Sequence, residues 1–443
     1  MRISGLRRPG SAEAERGSRI VPRDGQRVAR ARYSPRERPG VPQISATDSA
    51  RTALSYEVVT TEEGFAELED GWDRLVRAMP RPSPFMLHGW LSAWWRHCSR
   101  GAEPRVYVAR RGGRLVAALP LSVGRRRGLR VAGFMGAGES ALGDLLLADG
   151  VDPAVGAELA ARAATDRIDL ADLFGLPASS QLAAALGPKR LRLIEVVESP
   201  VLDLSQGWAD TYRAKTNSKK RNQHKRRRRQ LGALGRLEVS VARTAEELEP
   251  ALEESFRVHS LRWQGRPDRS TFGTPDGIRF HRAALARLVT LDVPRIVTLT
   301  LDGKAIAFHY YFALEGRMYV HRLAFDPAFS RSSPGLVNTL DALEAASNEG
   351  LTRVEFLGGA ERYKVELADR LEPLHVGLGL AGTALGRAVI DARLASIVLR
   401  RRLKRVPRLH RLYYEGLAPM RRLVARLRES GGPDPDRHKE GSE

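Results

Sequence analysis

The chain has 443 residues, enough for two or three domains, and its 42% apolar residues are an ordinary supply for folded cores. One cysteine, Cys98, excludes an internal disulfide framework and a cysteine-rich zinc site, and no stretch approaches the roughly 20 uninterrupted apolar residues of a membrane-spanning helix. The net charge of +21 is unevenly placed: residues 1–50 carry +6, residues 211–230 carry +10 and residues 387–443 carry +8, leaving the remainder at −3. That distribution predicts affinity for phosphate-bearing surfaces (membrane headgroups, nucleotides or RNA) without choosing among them.

Residues 1–52 are rich in Arg, Gly, Pro and Ser and almost free of aromatics, a composition that predicts disorder; an over-long start explains them equally well. They hold charge but no apolar signal-peptide region, so a cytoplasmic protein, peripheral to the inner membrane face if its cations dock there, is expected. Order begins at "SYEVVTTEEGFAELEDGWDRLVRAMP". A short strand around Tyr56 and Val58 meets Thr61 as a helix N-cap, and Phe65, Leu68, Trp72, Leu75 and Val76 mark one helical face. "PFMLHGWLSAWWRHC" predicts a second helix. Its Trp90, Trp94 and Trp95 read as core or as a stacking platform, and Cys98 as buried and inert.

"RVYVARRGGRLVAALPLSV" reads as two strands joined at Gly112-Gly113. "LRVAGFMG" and "DLLLAD" add strands, followed by a helix (153–165), a strand (168–174), a short helix (178–186) and a strand (190–197). "GAGESA" (136–141) matches a dinucleotide fingerprint but opens onto "LGDLLLADG" rather than a helix, so no cofactor is assigned to it.

"TNSKKRNQHKRRRRQLGALG" (216–235) lies between the halves, with eight Lys or Arg from Lys219 to Arg229 and no acid or aromatic. A nucleic-acid arm would interleave aromatics for stacking. Asn217 or Ser218 as a cap, with Leu231 and Leu234 to bury, predicts instead a helix that opens the second half. Its cations then face the cleft or a membrane, with RNA binding as the alternative.

From Leu237 the element order recurs: the strand "LEVSVAR", a helix capped by Thr244 with Glu247 at the capping-box position, and the helix "GIRFHRAALARLVTL". A three-strand meander turns at Asp302-Gly303 and Glu315-Gly316. A helix follows with Pro334 at its start and Gly350 past its end, then "TRVEFLGG" as a strand, a short helix and a strand. "ARRGGRLVAA" (109–118) superposes on "LTLDGKAIAF" (299–308) at an offset of 190, placing Gly113 on Gly303. Two copies of one unit predict a pseudo-symmetric pair.

This order resembles a tandem of GNAT-type acyltransferase domains, as in the Fem-like peptidoglycan aminoacyl transferases. The local text is closer to the CelD-like family associated with cellulose and exopolysaccharide synthesis. The residues that carry the resemblance are "PSPFMLHGWLSAWW", "LVAALPL" and "GD" at 143–144, then "SKKRNQHKRRRRQL", "HSLRW", "DGKAIAFHYYF", "FDPAFSRSSPG" and "GGAERYK". The implied fold class is α/β, with mixed α+β sheets in tandem GNAT-like domains and a basic helical C-terminal tail. Its expected boundaries are 1–52 disordered, 53–205 an N-terminal GNAT-like domain, 206–380 a catalytic GNAT-like domain beginning with a basic helix, and 381–443 a basic tail that is disordered at its end.

The resemblance also assigns roles. "FDPAFSRSSPGL" enters a helix whose first amides suit a pyrophosphate, so Arg331, Ser332, Ser333 and Gly335 are candidates for acyl-CoA, although Pro334 and Leu336 stand where the usual loop has Gly or Ala. Tyr363 falls where such enzymes place a proton donor for the departing thiolate. Lys364 suits a phosphate or carboxylate of the acceptor. Both also read as ordinary packing and surface residues, and Glu361 as a solvated acid. His309 and His321 lie on adjacent strands as a possible general base, His321 the better placed, or as hydrogen-bonded core histidines; neither has metal-ligand spacing. Arg262 and Trp263 border the acceptor cleft, or Arg262 pairs with an acid. Asp144 faces the acceptor or closes a turn.

The expected function is direct acyl transfer from acetyl-CoA or another acyl-CoA, without a metal, to a sugar- or peptide-linked envelope or exopolysaccharide precursor. Two alternatives stay open: a Fem-like transferase using aminoacyl-tRNA, and a scaffold binding RNA or an anionic membrane surface on a decayed GNAT pair. Short amphipathic stretches cut by Pro407 and Pro419 in the tail fit a membrane contact, or a helix packed on the body with Arg outward.

Overall fold

The structure, a computed structural model, describes residues 53–264, 270–359 and 361–405. The expectations for residues 1–52 and for the tail beyond 405 lie outside the described residues.

The first half runs β1 (Leu54–Val59), α1 (Glu62–Ala66), α2 (Glu69–Arg77), α3 (His88–Cys98), β2 (Glu103–Arg111), β3 (Arg114–Arg126), β4 (Leu129–Phe134), β5 (Leu146–Leu147), α4 (Pro153–Thr165), β6 (Leu170–Pro177), α5 (Gln181–Arg190) and β7 (Leu191–Val197). The second runs β8 (Pro200–Asp203), α6 (Trp208–Lys215), α7 (Ser218–Gly232), β9 (Leu237–Ala242), α8 (Ala245–Trp263), α9 (Pro275–Leu288), β10 (Pro294–Leu301), β11 (Lys304–Leu314), β12 (Arg317–Phe325), α10 (Pro334–Asn348), β13 (Arg353–Glu355), α11 (Arg362–Leu367), β14 (Arg370–Leu371), β15 (Leu374–Gly379) and α12 (Ala384–Arg405).

Local chemistry explains most of these ends. Thr61 accepts from the Gly64 amide, Asn217 from Lys220, and Thr244 forms a full capping box with Glu247. The β2–β3 and β10–β11 turns use Gly112-Gly113 and Asp302-Gly303, each with both central φ angles positive, the geometry that matches strand twist. "DLLLAD" is strand only over Leu146–Leu147, and α5 is interrupted at Gly187, whose φ of 69° breaks the helix before Pro188.

Two mixed sheets result. The first has the order β1-β2-β3-β4-β6-β15-β7, with β5 on β3; the second has the order β14-β8-β13-β12-β11-β10-β9. Among the described residues, only β4–β6 and β12–β13 pair in parallel. The duplication extends to a defect: both hairpins carry a register shift, at Ala109/Arg110 and at Leu299/Thr300, again 190 residues apart.

Sheet membership crosses the expected 205/206 boundary in both directions. β15, late in the chain, lies between β6 and β7, while β8, from the first half's expected domain, pairs with β13. The first sheet is therefore completed by a strand from the second half, and the second half begins at β8, before the expected boundary.

A shared core of α1–α3, α8 and α9 fills the space between the halves, including the fully buried Trp72, Trp90, Phe85 and Phe280. The tryptophans of α3 are thus core, as is Cys98, whose thiol burial pushes up to about 12. At Gly89 a Cβ would stand 2.7 Å from the Arg287 Cβ, so only glycine lets α3 approach α9 this closely. On the outer faces, α4 and α5 cover the first sheet, α10 covers the second, and α12 docks through Ile390.

Candidate active site

Strand β13 pairs with only Arg317–Tyr319 of β12 and stops at Glu355. Among the described residues, the remainder of β12, Val320–Phe325, has no ladder partner on that side, so the two parallel strands part and leave an open edge of backbone donors and acceptors. At the mouth of this gap the β11–β12 register slips: Tyr310 pairs with Arg322 and Tyr311 with Val320, which makes His321 the extra residue of a bulge. Bulges re-aim side chains. His321 is turned toward the shared core, its ring 5.2 Å from Trp90, 5.3 Å from His281, 5.3 Å from Tyr310 and 5.6 Å from Phe85.

The base of the gap is braced by the first half. Arg81 reaches 2.5 Å to Glu355, which is fully buried and also receives Arg353 at 2.7 Å and Arg317 at 3.4 Å. The Tyr319 hydroxyl donates to the Pro82 carbonyl, and the Ser83 hydroxyl to that of Leu142 at 2.7 Å. A buried carboxylate needs such partners, because unpaired it would destabilise the fold by about 3–5 kcal/mol.

Beside His321 lie groups that sequence reasoning missed. The turn "GAGESA" is held by Gly136 and Gly138 at φ of 88° and 91° and carries Glu139 from the first half to 3.2 Å from Arg322 and 3.6 Å from His281 Nε2. Burial would raise the Glu139 carboxyl, but His281 and Arg322 outweigh it and hold the group below its ordinary value. Burial drives His281 below the ordinary range, and His321 well below it with Arg322 and His281 adding, so both imidazoles are neutral near pH 7. The strained-glycine turn was the available signal for Glu139. His281, inside an amphipathic helix, gave none.

The other expected residues separate into groups. Arg331, Ser332 and Ser333 occupy a 3-10 turn (Pro327–Ser332) and the cap of α10, with Ser333 left-handed at φ 50° and Pro334 at the first helical position. At the start of α10 Pro334 has no amide hydrogen and the Leu336 and Val337 amides donate to the Ser333 carbonyl at 3.1 and 3.2 Å, with Arg331 exposed beside them. At Gly335 a Cβ would stand 2.8 Å from the Phe325 ring, so packing against β12 calls for glycine there. The Arg262 guanidinium lies 5.0 Å over that same ring and 6.0 Å from Trp263, a cation–π arrangement worth about 0.5–2 kcal/mol. Arg262 and Trp263 therefore join the α10 loop and not the group around His321, because α8 ends over the tip of β12.

His309 is the counterexample to the expected pair. It alternates away from His321 onto the α10 side of the sheet and is buried beside Lys364. Burial and that cation lower it to about 3. Lys364 is itself engaged, at 2.8 Å from Glu361 and 3.0 Å from the Gly358 carbonyl, so Glu361 is an ion-pair partner and Lys364 is not free for an acceptor anion. Tyr363 is half-buried on α11, and burial raises its hydroxyl pKa. Asp144 faces no cleft: its carboxylate accepts from Ser180 Oγ and from the amides of Gln181, Leu182 and Leu145 at 2.7–3.0 Å, and burial still lifts it to about 6. It caps α5.

The basic stretch forms α7. Leu231 is buried near Val337 and Phe329, and Arg228 pairs with Asp341 at 2.5 Å, so the helix is fastened along α10; Leu234 remains 59% exposed. Lys219, Lys225, Arg226 and Arg229 face outward.

Residues 218–365 match the family described as acetyltransferase (GNAT) domain. Among solved structures, FemX aligns at 11% identity over 75% of this chain and 100% of its own, with a TM-score of 0.50. L-PGS from Bacillus licheniformis aligns at 13% over 75% and 95%, with a TM-score of 0.46. A tandem GNAT protein from the clavulanic acid biosynthesis pathway aligns at 16% over 75% and 99%, with a TM-score of 0.41. No curated protein matches the chain. The fold is the mixed α/β tandem expected, and the matched domain is that of an acyltransferase.

Proposed function

We propose that this acyltransferase of GNAT type transfers an acyl group from acetyl-CoA or another acyl-CoA to an amine or hydroxyl acceptor, by direct attack on the thioester. The observation that carries this reading is the parting of β12 from β13 beside the bulged His321. An extended arm bearing amides is complementary to the open edge of β12, and a pyrophosphate to the start of α10 with Arg331, Ser332 and Ser333. His321 takes the acceptor's proton as its nitrogen or oxygen attacks the carbonyl carbon. The carbon–sulfur bond then breaks, and Tyr363 gives the thiolate a proton. Catalysis rests on positioning and on donors aimed at developing charge, with no covalent enzyme intermediate. A sugar- or peptide-linked envelope or exopolysaccharide precursor is the proposed acceptor, on the strength of the CelD-like resemblance in residues 82–95 and 302–312. The exposed cations of α7 make an anionic membrane surface a reasonable partner.

A second reading, an aminoacyl-tRNA donor, is favoured by two observations. Pro334 removes one amide from the α10 start, and α7 lays exposed cations along α10. Thermal shift of the full chain with acetyl-CoA and with tRNA at two salt concentrations separates them. The CoA reading expects stabilisation by acetyl-CoA that weakens in Arg331→Ala. Stabilisation by tRNA alone, falling steeply with salt, would replace it with the second reading.

A further inference from the structure

Helix α7 carries a face of one charge sign that nothing in the chain balances. Lys220 and Arg228 turn toward the body, where Glu366 and Asp341 hold them at 3.1 and 2.5 Å, and Leu231 is buried beside Val337 of α10. Those contacts fix the rotation of the helix. Lys219, Lys225, Arg226 and Arg229 then share the opposite face with Asn222, and all five are exposed. Among the described residues none of the four cations has an acidic partner, and α7 itself contains no acid. Like charges three and four residues apart weaken a helix, so this face destabilises the free protein and an anionic partner relieves it.

The cations border exposed apolar surface. Past the end of α7, Leu234 is 59% exposed, and on β9 Val239 and Val241 are 36% and 38% exposed. The two valines pair with Leu299 and Val297, which pack under α10, so they take the α10 face of the sheet, the side on which α7 lies. Glu238 and Ser240 alternate to the other face. Among the described residues β9 has no strand on its outer side.

This combination selects the class of partner. A nucleic-acid backbone would satisfy the cations and leave three aliphatic side chains in water, and residues 216–235 offer no aromatic ring for base stacking. An anionic bilayer satisfies both: headgroup phosphates meet the cations, and the acyl boundary takes up the apolar side chains. The surface is also preorganised, because two ion pairs and Leu231 already hold α7 on the body and little ordering entropy opposes docking.

We infer that the outer face of α7, with Leu234 and the edge of β9, is a docking surface for an anionic lipid bilayer, held by charge and by shallow burial of the three aliphatic side chains. The turn that carries Arg331 packs on α7 through Phe329 and Leu231, so a bilayer held here lies next to the candidate donor loop. This deepens the partner given to α7 in the acyl-transfer reading, yet docking needs neither donor nor acceptor, so a failed test of one leaves the other standing.

Flotation of the full chain with vesicles tests the docking, comparing phosphatidylcholine alone with an equimolar mixture of phosphatidylcholine and phosphatidylglycerol. The mixed vesicles should bind the chain, less so at higher salt, and the neutral vesicles should not. Each cation at such a surface contributes about fivefold, so Lys225→Gln with Arg229→Gln should weaken binding by about tenfold or more and flatten its salt dependence. Leu234→Ser should weaken binding and leave the salt dependence unchanged. Arg111→Gln with Arg114→Gln, on the exposed β2–β3 hairpin, removes the same charge and should bind as wild type does. All five positions are exposed, and thermal melts that match wild type show that the variants fold. Equal binding to neutral vesicles, undiminished binding by the α7 variant, or the same loss in the hairpin variant would each overturn the inference. Vesicle binding untouched by Leu234→Ser would mean attraction by charge alone, the result expected of a nucleic-acid surface, and would overturn it as well; tRNA binding that falls in the α7 variant then identifies that partner.

Discussion

His321 owes its direction to one irregular backbone step. In a regular ladder it would alternate with its neighbours, but the bulge between Tyr310 and Tyr311 re-aims it toward Trp90 and His281. A base at this position should contribute to chemistry and little to folding. His321→Leu is therefore expected to lower kcat by about 10²–10⁴-fold while the melting temperature holds or rises, because a buried polar atom without a partner is removed. Steady-state thiol release beside a thermal melt checks this, and a large loss of stability with normal kcat would make His321 a packing residue. Of the candidates read from the sequence, His321 alone stands with Glu139 and His281. Asp144, His309 and Lys364 were chosen for plausible chemistry, yet each is committed to a helix cap, the opposite sheet face or an ion pair. Residue type does not reveal which face a strand residue takes once a bulge intervenes.

At the scale of elements, sequence pattern performed well wherever a local cause exists. Caps at Thr61, Asn217 and Thr244, the two glycine hairpins, and the helix from Pro334 to Asn348 follow from nearest-neighbour chemistry. β8 and β14 did not, because such short strands are defined by the partner they meet, and β5 keeps only two residues of its expected strand. The same limit hid the exchange of β15 into the first sheet. That exchange has a consequence for dissection of the chain. A fragment spanning 53–205 lacks β15 and would expose the facing edges of β6 and β7, so it should not fold cooperatively, whereas 53–405 should. Circular dichroism melts of the two pieces test this, and a sharp transition in the short fragment would mean that the first sheet closes without β15.

Across the whole molecule, burial of histidines makes stability depend on pH. His281, His309 and His321 are all lowered by burial, His309 from an ordinary 6.5 to about 3. Below pH 6.5 the unfolded chain takes up protons that the folded chain refuses until it reaches its own lower values. Stability therefore rises with pH between about 3 and 6.5 and levels off above, with each histidine contributing up to about 1.4 kcal/mol per pH unit. The denaturant midpoint should fall from pH 7.5 to pH 5, with the lifted Asp144 carboxyl offsetting part of the fall below about pH 6, and His309→Gln should flatten it. A midpoint that is level or higher at pH 5 would contradict the burial of all three.

The sequence by itself determined the class of fold, the duplication at an offset of 190 and the acyltransferase character. The first two rest on periodicity, turn chemistry and the order of elements, which are local properties repeated along the chain, and the third on the resemblance of the second half to GNAT-type transferases. Only the tertiary structure decided which polar residues share a site. Glu139 is 142 residues from His281 in sequence and 3.6 Å from it in space, because the tight turn at Gly136 and the packing of α3 on α9 deliver it there. A site assembled from two halves depends on how their cores dock, and docking is a property of surfaces that no single stretch of chain carries.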